Sequence, residues 1–334
     1  MEERGAKLRL MRLVNVKDIE QIIVLCFKKR DSLILENKVK VVYLHLKFWD
    51  LFLIIYAVIF LQRPLTNAIY FRKKIYAVIS SNDYILVHLV RCLIFNPLGF
   101  RRTEVDVCEA LSANYEYRSD MLPWFSIKKH LLKYDRTRLR KLELSVANLP
   151  TYFINGVDPL IKIMKLPVIV PNKAGIRVQE CSLQVQNRLL FIGHVDYEPN
   201  IYGLISICEG MHQGEYKLDI CGSISAKNKS RLLRYPFVNV LGYVDNLSDL
   251  GKNYICGLAF LEGSTGTQNK VFDYLELGIP ALVSDDLDGL DEVTAFTYPL
   301  DSIANFCKAL AHLQDPIWRQ MYNRKILGER YGCK

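Results

Sequence analysis

The sequence predicts an α/β chain made of two Rossmann-like domains, and three observations carry that prediction. Short apolar or β-branched runs recur along the chain with longer helical stretches between them, the alternation that gives a parallel sheet covered on both faces. Several of these runs end directly on glycine or polar residues, where open α/β sheets hold their ligands. The charge also divides, because residues 1–172 carry 28 Lys+Arg against 16 Asp+Glu, a net +12, whereas residues 173–334 carry 16 against 19, a net −3. We therefore place the domain boundary between 172 and 173.

At 334 residues, with 50% apolar and 24% charged side chains, the chain has material for two packed cores. The same composition excludes pervasive disorder, a collagen-like fibre and a coiled coil. In the first half, residues 22–27 (IIVLCF), 39–44 (VKVVYL), 84–89 (YILVHL), 104–108, 151–155 and 167–170 read as short strands. The run 51–61 is eleven apolar residues behind Asp50, against roughly 20 for a spanning helix, so no bilayer crossing is expected. Residues 128–148 (KKHLLKYDRTRLRKLELSVAN) space Leu131, Leu132, Leu139, Leu142 and Val146 as a helix does, with Lys and Arg on the other face. An ordinary surface helix and a membrane-facing one both fit that pattern. Residues 167–186, with Pro171 and Gly175, read as the linker.

The second half is more regular, with strands expected at 188–193 (RLLFIG), 216–222 (YKLDICG), 238–242 (VNVLG), 257–261 (GLAFL) and 280–284 (PALVS). Nine cysteines, odd in number and without CxxC or CxxH spacing, predict reduced thiols in a cytosolic protein and neither a disulfide frame nor a zinc cluster. The basic N-terminus lacks the apolar stretch of a secretory signal.

Four strand ends of the second half carry the residues with chemistry to offer. Gly193 and His194 follow the first, with Pro199-Asn200 opening a helix. Gly222-Ser223 follow the second, and Gly242-Tyr243-Val244 follow the third, where a ring and backbone groups suit a flat base. Each of these alone is an ordinary turn. The fourth is the loop Gly263-Ser264-Thr265-Gly266-Thr267 running into a helix with Asn269, Lys270 and Asp273. Unpaired N–H groups at a helix start and a lysine one turn inside suit a diphosphate, and Asp273 on the same face suits ribose hydroxyls. Neither GxxxxGK[ST] nor GxGxxG occurs.

The run GTQNKVFDYLELGIPALVS resembles the signature block of the group 1, family 4 GT-B glycosyltransferases, and FIGHVDYEPNIYGL and LDICGS resemble that family's preceding donor-domain segments. VDVCEALSANY and the basic helix with YDRTRLRKLE resemble a bacterial subset acting in cell-surface polysaccharide synthesis. The resemblance implies the GT-B fold, with two Rossmann-like domains facing each other across a cleft. Residues 1–172 would be the acceptor-side domain and 173–334 the nucleotide-sugar donor domain, whose last helix could return to the first. It also implies transfer of a hexose-type sugar, with retention, from a UDP- or GDP-sugar substrate to a lipid-linked or saccharide acceptor, without a metal or other cofactor.

Donor contacts are expected from Gly193, His194, Asn200, Gly222, Ser223, Tyr243, Val244, Thr265, Gly266, Thr267, Asn269, Lys270 and Asp273. Lys270 would also act catalytically on the leaving group, with Glu109 as a candidate base. On the acceptor side the candidates are Lys7, Arg9, His88 and Arg91. The basic first half predicts a peripheral position on the anionic inner face of the cytoplasmic membrane. Nucleic acid is not an expected partner, since helix-turn-helix, RRM and zinc spacings are lacking.

The sequence departs from the family pattern in three places. Thr265 stands where the first carboxylate of an E-x7-E pair belongs and Asp273 replaces the second, while His194 stands where arginine is usual. The chain also opens on Gly5-Ala-Lys7-Leu-Arg9, which resembles the end of a glycine-rich loop, so the family's first strand is expected to be missing. These departures leave a second reading open, a decayed GT-B protein kept as a binding or scaffold component.

Overall fold

A computed structural model describes residues 9, 13, 21–26, 33–34, 40–45, 47–69, 84–93, 103–154, 156, 158–170, 177–211, 215–260, 268–284 and 293–331. The chain divides into two compact units, Met1–Asn172 and Lys173–Lys334.

The described strands of the first unit lie in two sheets. β1 (Gln21–Cys26), β2 (Leu33–Ile34) and β3 (Lys40–His45) form one, in the order β1-β3-β2, with β1 parallel and β2 antiparallel to β3. β4 (Ile85–His88), β5 (Thr103–Cys108), β6 (Pro150–Phe153) and β7 (Leu166–Ile169) form an all-parallel sheet in sequence order. Its core joins Val87, Val105, Val107 and Phe153 of the strands to Ala57 of α1 (Asp50–Ile59), Leu142 of the long helix Ile127–Ser145 and Val146 just beyond it. The short α2 is Leu65–Ala68, and α3 is Leu111–Asp120. α4 spans Ile127–Ser145, and Ser126 caps it by accepting from the Lys129 N–H at 3.4 Å. The expected linker starts later than its sequence suggests, because residues 166–169 are a strand paired along β6. β2 is too short to leave a periodic signal.

The second unit holds one six-stranded parallel sheet. Its strands are β8 (Arg188–Ile192), β9 (Lys217–Cys221), β10 (Val238–Gly242), β11 (Cys256–Ala259), β12 (Ala281–Ser284) and β13 (Thr297–Leu300), in the order β10-β9-β8-β11-β12-β13. Renumbered from its own first strand that is 3-2-1-4-5-6, the doubly wound nucleotide-binding order, whose direction reverses between β8 and β11. Alternate side chains of β8 serve opposite faces: Leu189 and Phe191 pack with Ile201, Leu204 and Ile207 of α5 (Glu198–Gly210), while Leu190 and Ile192 pack with Val271, Tyr274 and Leu275 of α7 (Asn269–Glu276). Burial on both faces is why β8, β11 and β12 read as short apolar runs. α6 is Ala226–Leu232, α8 Phe306–Gln314 and α9 Pro316–Tyr331.

The last helix packs on the second unit. Arg319, fully buried, donates to the carbonyls of Leu313, Ser182, Tyr254 and Ile255, and Asn323 exchanges hydrogen bonds with the backbone of Cys181 at 2.8 and 2.9 Å. Among the described residues no helix is long and apolar enough to cross a membrane.

Candidate active site

The carboxyl ends of β8, β9 and β10 close on one another through glycine. Gly193 donates its N–H to the Cys221 carbonyl at 2.9 Å, and Gly222 donates to the Gly242 carbonyl at 2.7 Å. At Gly222 φ is +140°, and a β-carbon there would lie 1.9 Å from the Gly193 carbonyl oxygen, so only glycine lets the two turns meet. The neighbouring side chains also join: His194 Nδ1 lies 2.7 Å from Ser223 Oγ, both exposed. Tyr243 stands 55% exposed after β10, and Val244 packs beside it on the core below.

Beneath Gly193 lies Lys270. It sits in the first turn of α7, and its Nζ reaches across the point of strand reversal to donate to Asn200 Oδ1 at 2.7 Å, in the first turn of α5. Asn200 is held by its own Nδ2, which donates to the His194 carbonyl at 2.7 Å. The ammonium is 4.2 Å from the centroid of the Phe191 ring and 8% exposed. Burial lowers its pKa from 10.5 to about 7, since removal from water disfavours the charged form. Among the described residues no carboxylate pairs with it. Asp273, half-buried, follows three residues on, on the same side of the helix, with Asn269 one residue before the lysine.

Tyr274 fixes how these parts meet. Its fully buried hydroxyl accepts from the Ile192 N–H at 2.9 Å and donates to the Leu258 carbonyl at 3.0 Å, so one side chain ties α7 to β8 and β11. Sequence reading assigned it no role, and its signal is a lone hydroxyl on an otherwise apolar helix face. Asp196, likewise unassigned, accepts from Ser225 N and Oγ at 2.7 Å each and from Asn228 at 2.6 Å, joining the loop after β8 to the start of α6. Thr265, Gly266 and Thr267 lie outside the described residues.

In the first unit the parallel register sets His88 of β4 beside Asp106 of β5. His88 Nδ1 is 2.7 Å from Asp106 Oδ2, and the Cys108 thiol donates to that oxygen at 3.1 Å. Arg9 completes the cluster, its Nη2 2.5 Å from Asp106 Oδ1, its Nε 3.1 Å from both oxygens, and its Nη1 on the Val170 carbonyl. Burial pushes the Asp106 pKa up, but hydrogen bonds from His88 and Arg9 and the guanidinium charge outweigh it and hold the carboxyl below its ordinary 3.8. Burial, then the Asp106 charge, raises the Cys108 thiol well above 9.0. His88, Asp106 and Cys108 are the one group of three potential metal ligands among the described residues, and the cation paired with its carboxylate is Arg9.

Arg9, expected near an acceptor phosphate, is 1% exposed and engaged with Asp106. Sequence reading missed Asp106, although an acid inside the run VDVC is itself a signal that something cationic meets it. His88 keeps a buried Nε2 without a partner among the described residues. Glu109 follows β5 half-buried, its N–H on the Val107 carbonyl at 2.8 Å, and Arg91 lies in the turn Val90–Cys92, its carbonyl accepting from Asn67. Lys7 lies outside the described residues.

Two parallel α/β sheets, one in the nucleotide-binding strand order, define the GT-B fold, and solved structures agree. The chain matches Anabaena Alr3699/HepE in complex with UDP-glucose over 99% of its own length and 97% of that chain, at 10% identity and a TM-score of 0.61. It matches TarM of S. aureus over 78% of its own length at 10% identity and a TM-score of 0.52. The chain spans only part of some matched structures, 54% of TarM and 42% of the pneumococcal O-GlcNAc transferase GtfA, the latter at 14% identity over 54% of this chain and a TM-score of 0.38. No protein-family model and no curated protein matches it.

Proposed function

We propose that the chain is a glycosyltransferase that moves a hexose-type sugar, with retention, from a nucleoside-diphosphate sugar to a lipid-linked or saccharide acceptor of bacterial surface polysaccharide synthesis. The observation that carries this reading is Lys270, a buried lysine without a carboxylate partner among the described residues, at the strand reversal where doubly wound sheets bind nucleotides. A diphosphate supplies the missing negative charge. UDP is the favoured nucleotide, since the HepE structures hold UDP or UDP-glucose.

In the reaction the bond between the sugar's anomeric carbon and the β-phosphate oxygen breaks, its electron pair leaving with the diphosphate, and the acceptor hydroxyl joins that carbon and gives its proton to Glu109, the candidate base. Negative charge grows on the departing diphosphate, where Lys270 and the start of α7 with Thr267 and Asn269 oppose it. Gly193, Gly222 and Ser223 bring backbone and hydroxyl close to the phosphates, with Thr265 and Gly266 on the donor loop. His194, its Nδ1 2.7 Å from Ser223 Oγ, joins them at the same strand ends. Tyr243 and Val244 meet the base, and Asp273 the ribose. On the acceptor side His88, whose Nε2 has no partner among the described residues, is a stronger candidate than Arg9, and Glu109, Arg91 and Lys7 accompany it. The net +12 of residues 1–172 would hold the protein to the anionic cytoplasmic face of the membrane, where lipid-linked acceptors reside.

The test is calorimetric titration with UDP and GDP, followed by donor turnover with UDP- and GDP-sugars. Binding with turnover supports the reading. Binding without turnover over a panel of acceptors assigns the chain to the scaffold alternative, and no binding of either nucleotide removes the donor site.

A further inference from the structure

The helix Asp50–Ile59 is apolar on both its faces. Residues 51–62 contain no charge at all. Leu53, Ile54, Ala57 and Val58, one helical face, pack on the core of the first unit. Leu51, Phe52, Ile55, Tyr56 and Ile59 follow the same spacing on the opposite face and are exposed, Phe52 by 58% and Ile55 by 54%. Exposed aromatic rings extend the surface at both ends: Phe48 and Trp49 cluster with Phe52, with centroids 5.8 to 6.2 Å apart, and Phe60 stacks on Tyr56 at 5.4 Å. A helix face turned to water is normally polar, and a continuous apolar one marks a surface that meets another apolar phase.

The charge beside it identifies that phase. The chain leaving the helix is fastened to α4: Leu65 and Thr66 donate their N–H groups to the Asp135 carboxylate at 2.6 and 3.0 Å, and Arg138 donates to Gln62 Oε1 at 2.7 Å. α4 carries seven Lys and Arg against two acids. Both acids, Asp135 and Glu143, are buried and hydrogen-bonded inward, so the exposed charges of this helix are cationic, with Lys128, Lys133 and Lys141 among them. Trp124, Phe125 and Ile127 at its start are exposed by 79%, 69% and 78%. An apolar face beside fixed cations complements hydrocarbon lying under phosphate, whereas a second copy of the chain would bring like charges together.

We propose that the outer face of Asp50–Ile59 lies in the plane of an anionic bilayer, inserted among the upper acyl chains, with α4 on the headgroups. Ten residues of helix measure about 15 Å, half of a hydrocarbon core, so the segment lies along the surface and does not cross it. This rests on the membrane-surface part of the proposed function and goes beyond it, since that part requires charge alone.

The experiment uses the full chain with vesicles of phosphatidylcholine and phosphatidylglycerol, the former brominated near the headgroup end of its acyl chains. Trp49 and Trp124 report insertion, while Trp318, half-buried against the second unit's cores, supplies an unquenched background. Quenching is expected, together with a bound fraction that survives about 1 M salt, where the Debye length is about 3 Å. Phe52→Glu with Ile55→Glu should lower partitioning by at least about tenfold, as expected from losing two buried apolar side chains, and leave UDP affinity and circular dichroism unchanged. Binding that vanishes in high salt without quenching overturns insertion and leaves charge-driven docking standing. Absence of vesicle binding under every condition overturns both. A dimer that Phe52→Glu dissociates assigns the face to a second copy and also overturns the proposal.

Discussion

Lys270 and Asn200 lie seventy positions apart in sequence and share one 2.7 Å hydrogen bond across the strand reversal of the second unit. Each side chain stands in the first turn of its helix, so the bond holds two helix starts at a fixed separation. On the proposed reading a diphosphate enters there. Replacing Lys270 by alanine should then cost about 1.5 to 3 kcal/mol of UDP binding, the range for a hydrogen bond to a charged group. Calorimetry on both proteins reads this directly, and equal affinities would remove Lys270 from the site.

The same lysine predicts a pH dependence of binding. With a pKa of about 7 in the free protein, the amine becomes neutral above that pH, and a bound diphosphate restores its proton. UDP affinity should therefore fall as pH rises above 7, by up to about tenfold per unit while proton uptake is complete. Lys270→Met should lose that slope. Titrations in buffers of different ionisation heat count the proton taken up.

Stability should move in the opposite sense. The folded pKa of Lys270, about 7, is below its unfolded 10.5, so between those values the unfolded chain holds the extra proton and the folded state gains stability as pH rises. Below pH 7 the folded chain carries the buried ammonium charged, and its penalty is greatest. Lys270→Met should accordingly unfold at a higher temperature than the parent near pH 6, with the gain shrinking toward pH 10. A constant difference across that range would mean that the ammonium is well hydrated.

The second unit was the more legible in sequence because burial on both sheet faces writes a strand as a plain apolar run, as in Leu189 to Ile192. Gly193, Gly222 and Gly242 marked the ends of three strands because each turn takes a positive φ, +143°, +140° and +77°. β13 left no such mark, since Thr297, Tyr298 and Pro299 are polar or helix-breaking residues with little burial. Side-chain partnerships over long sequence distances were not legible: nothing local in the chain says that Tyr274 reaches Ile192, or that Arg9 spends its charge on Asp106. Nor does an apolar run say whether both of its faces are covered, which is why 51–61 read only as too short to span.

The glycines at the strand ends make a matched pair of tests. Gly222→Ala would drive a methyl into the Gly193 carbonyl at 1.9 Å in a conformation, φ +140°, that other residues avoid. Gly242 also has positive φ, +77°, but a β-carbon there meets nothing within 4 Å. Gly242→Ala should cost only the left-handed conformation, about 1 to 2 kcal/mol. Gly222→Ala should cost clearly more, because backbone must also move. Urea unfolding of the two variants compares them, and equal midpoints would mean that the two turns do not close as described.

Asp106 supplies the last prediction. It is fully buried and holds Arg9, His88 and Cys108 at once, so Asp106→Asn leaves the Arg9 guanidinium buried without its counter-charge. Breaking a buried pair on one side costs about 3 to 5 kcal/mol. Replacing both partners, Arg9→Met with Asp106→Leu, removes the unpaired charge and should cost less than Asp106→Asn alone. The carboxyl's folded pKa lies below its unfolded 3.8, so its stabilisation is present above that value and is lost as pH falls through the folded pKa. Thermal unfolding followed from pH 6 down to acid should show the parent losing stability there while the double variant loses less. If Asp106→Asn and the double variant are equally destabilised and fall in parallel with pH, the Arg9–Asp106 pair does not stabilise this sheet.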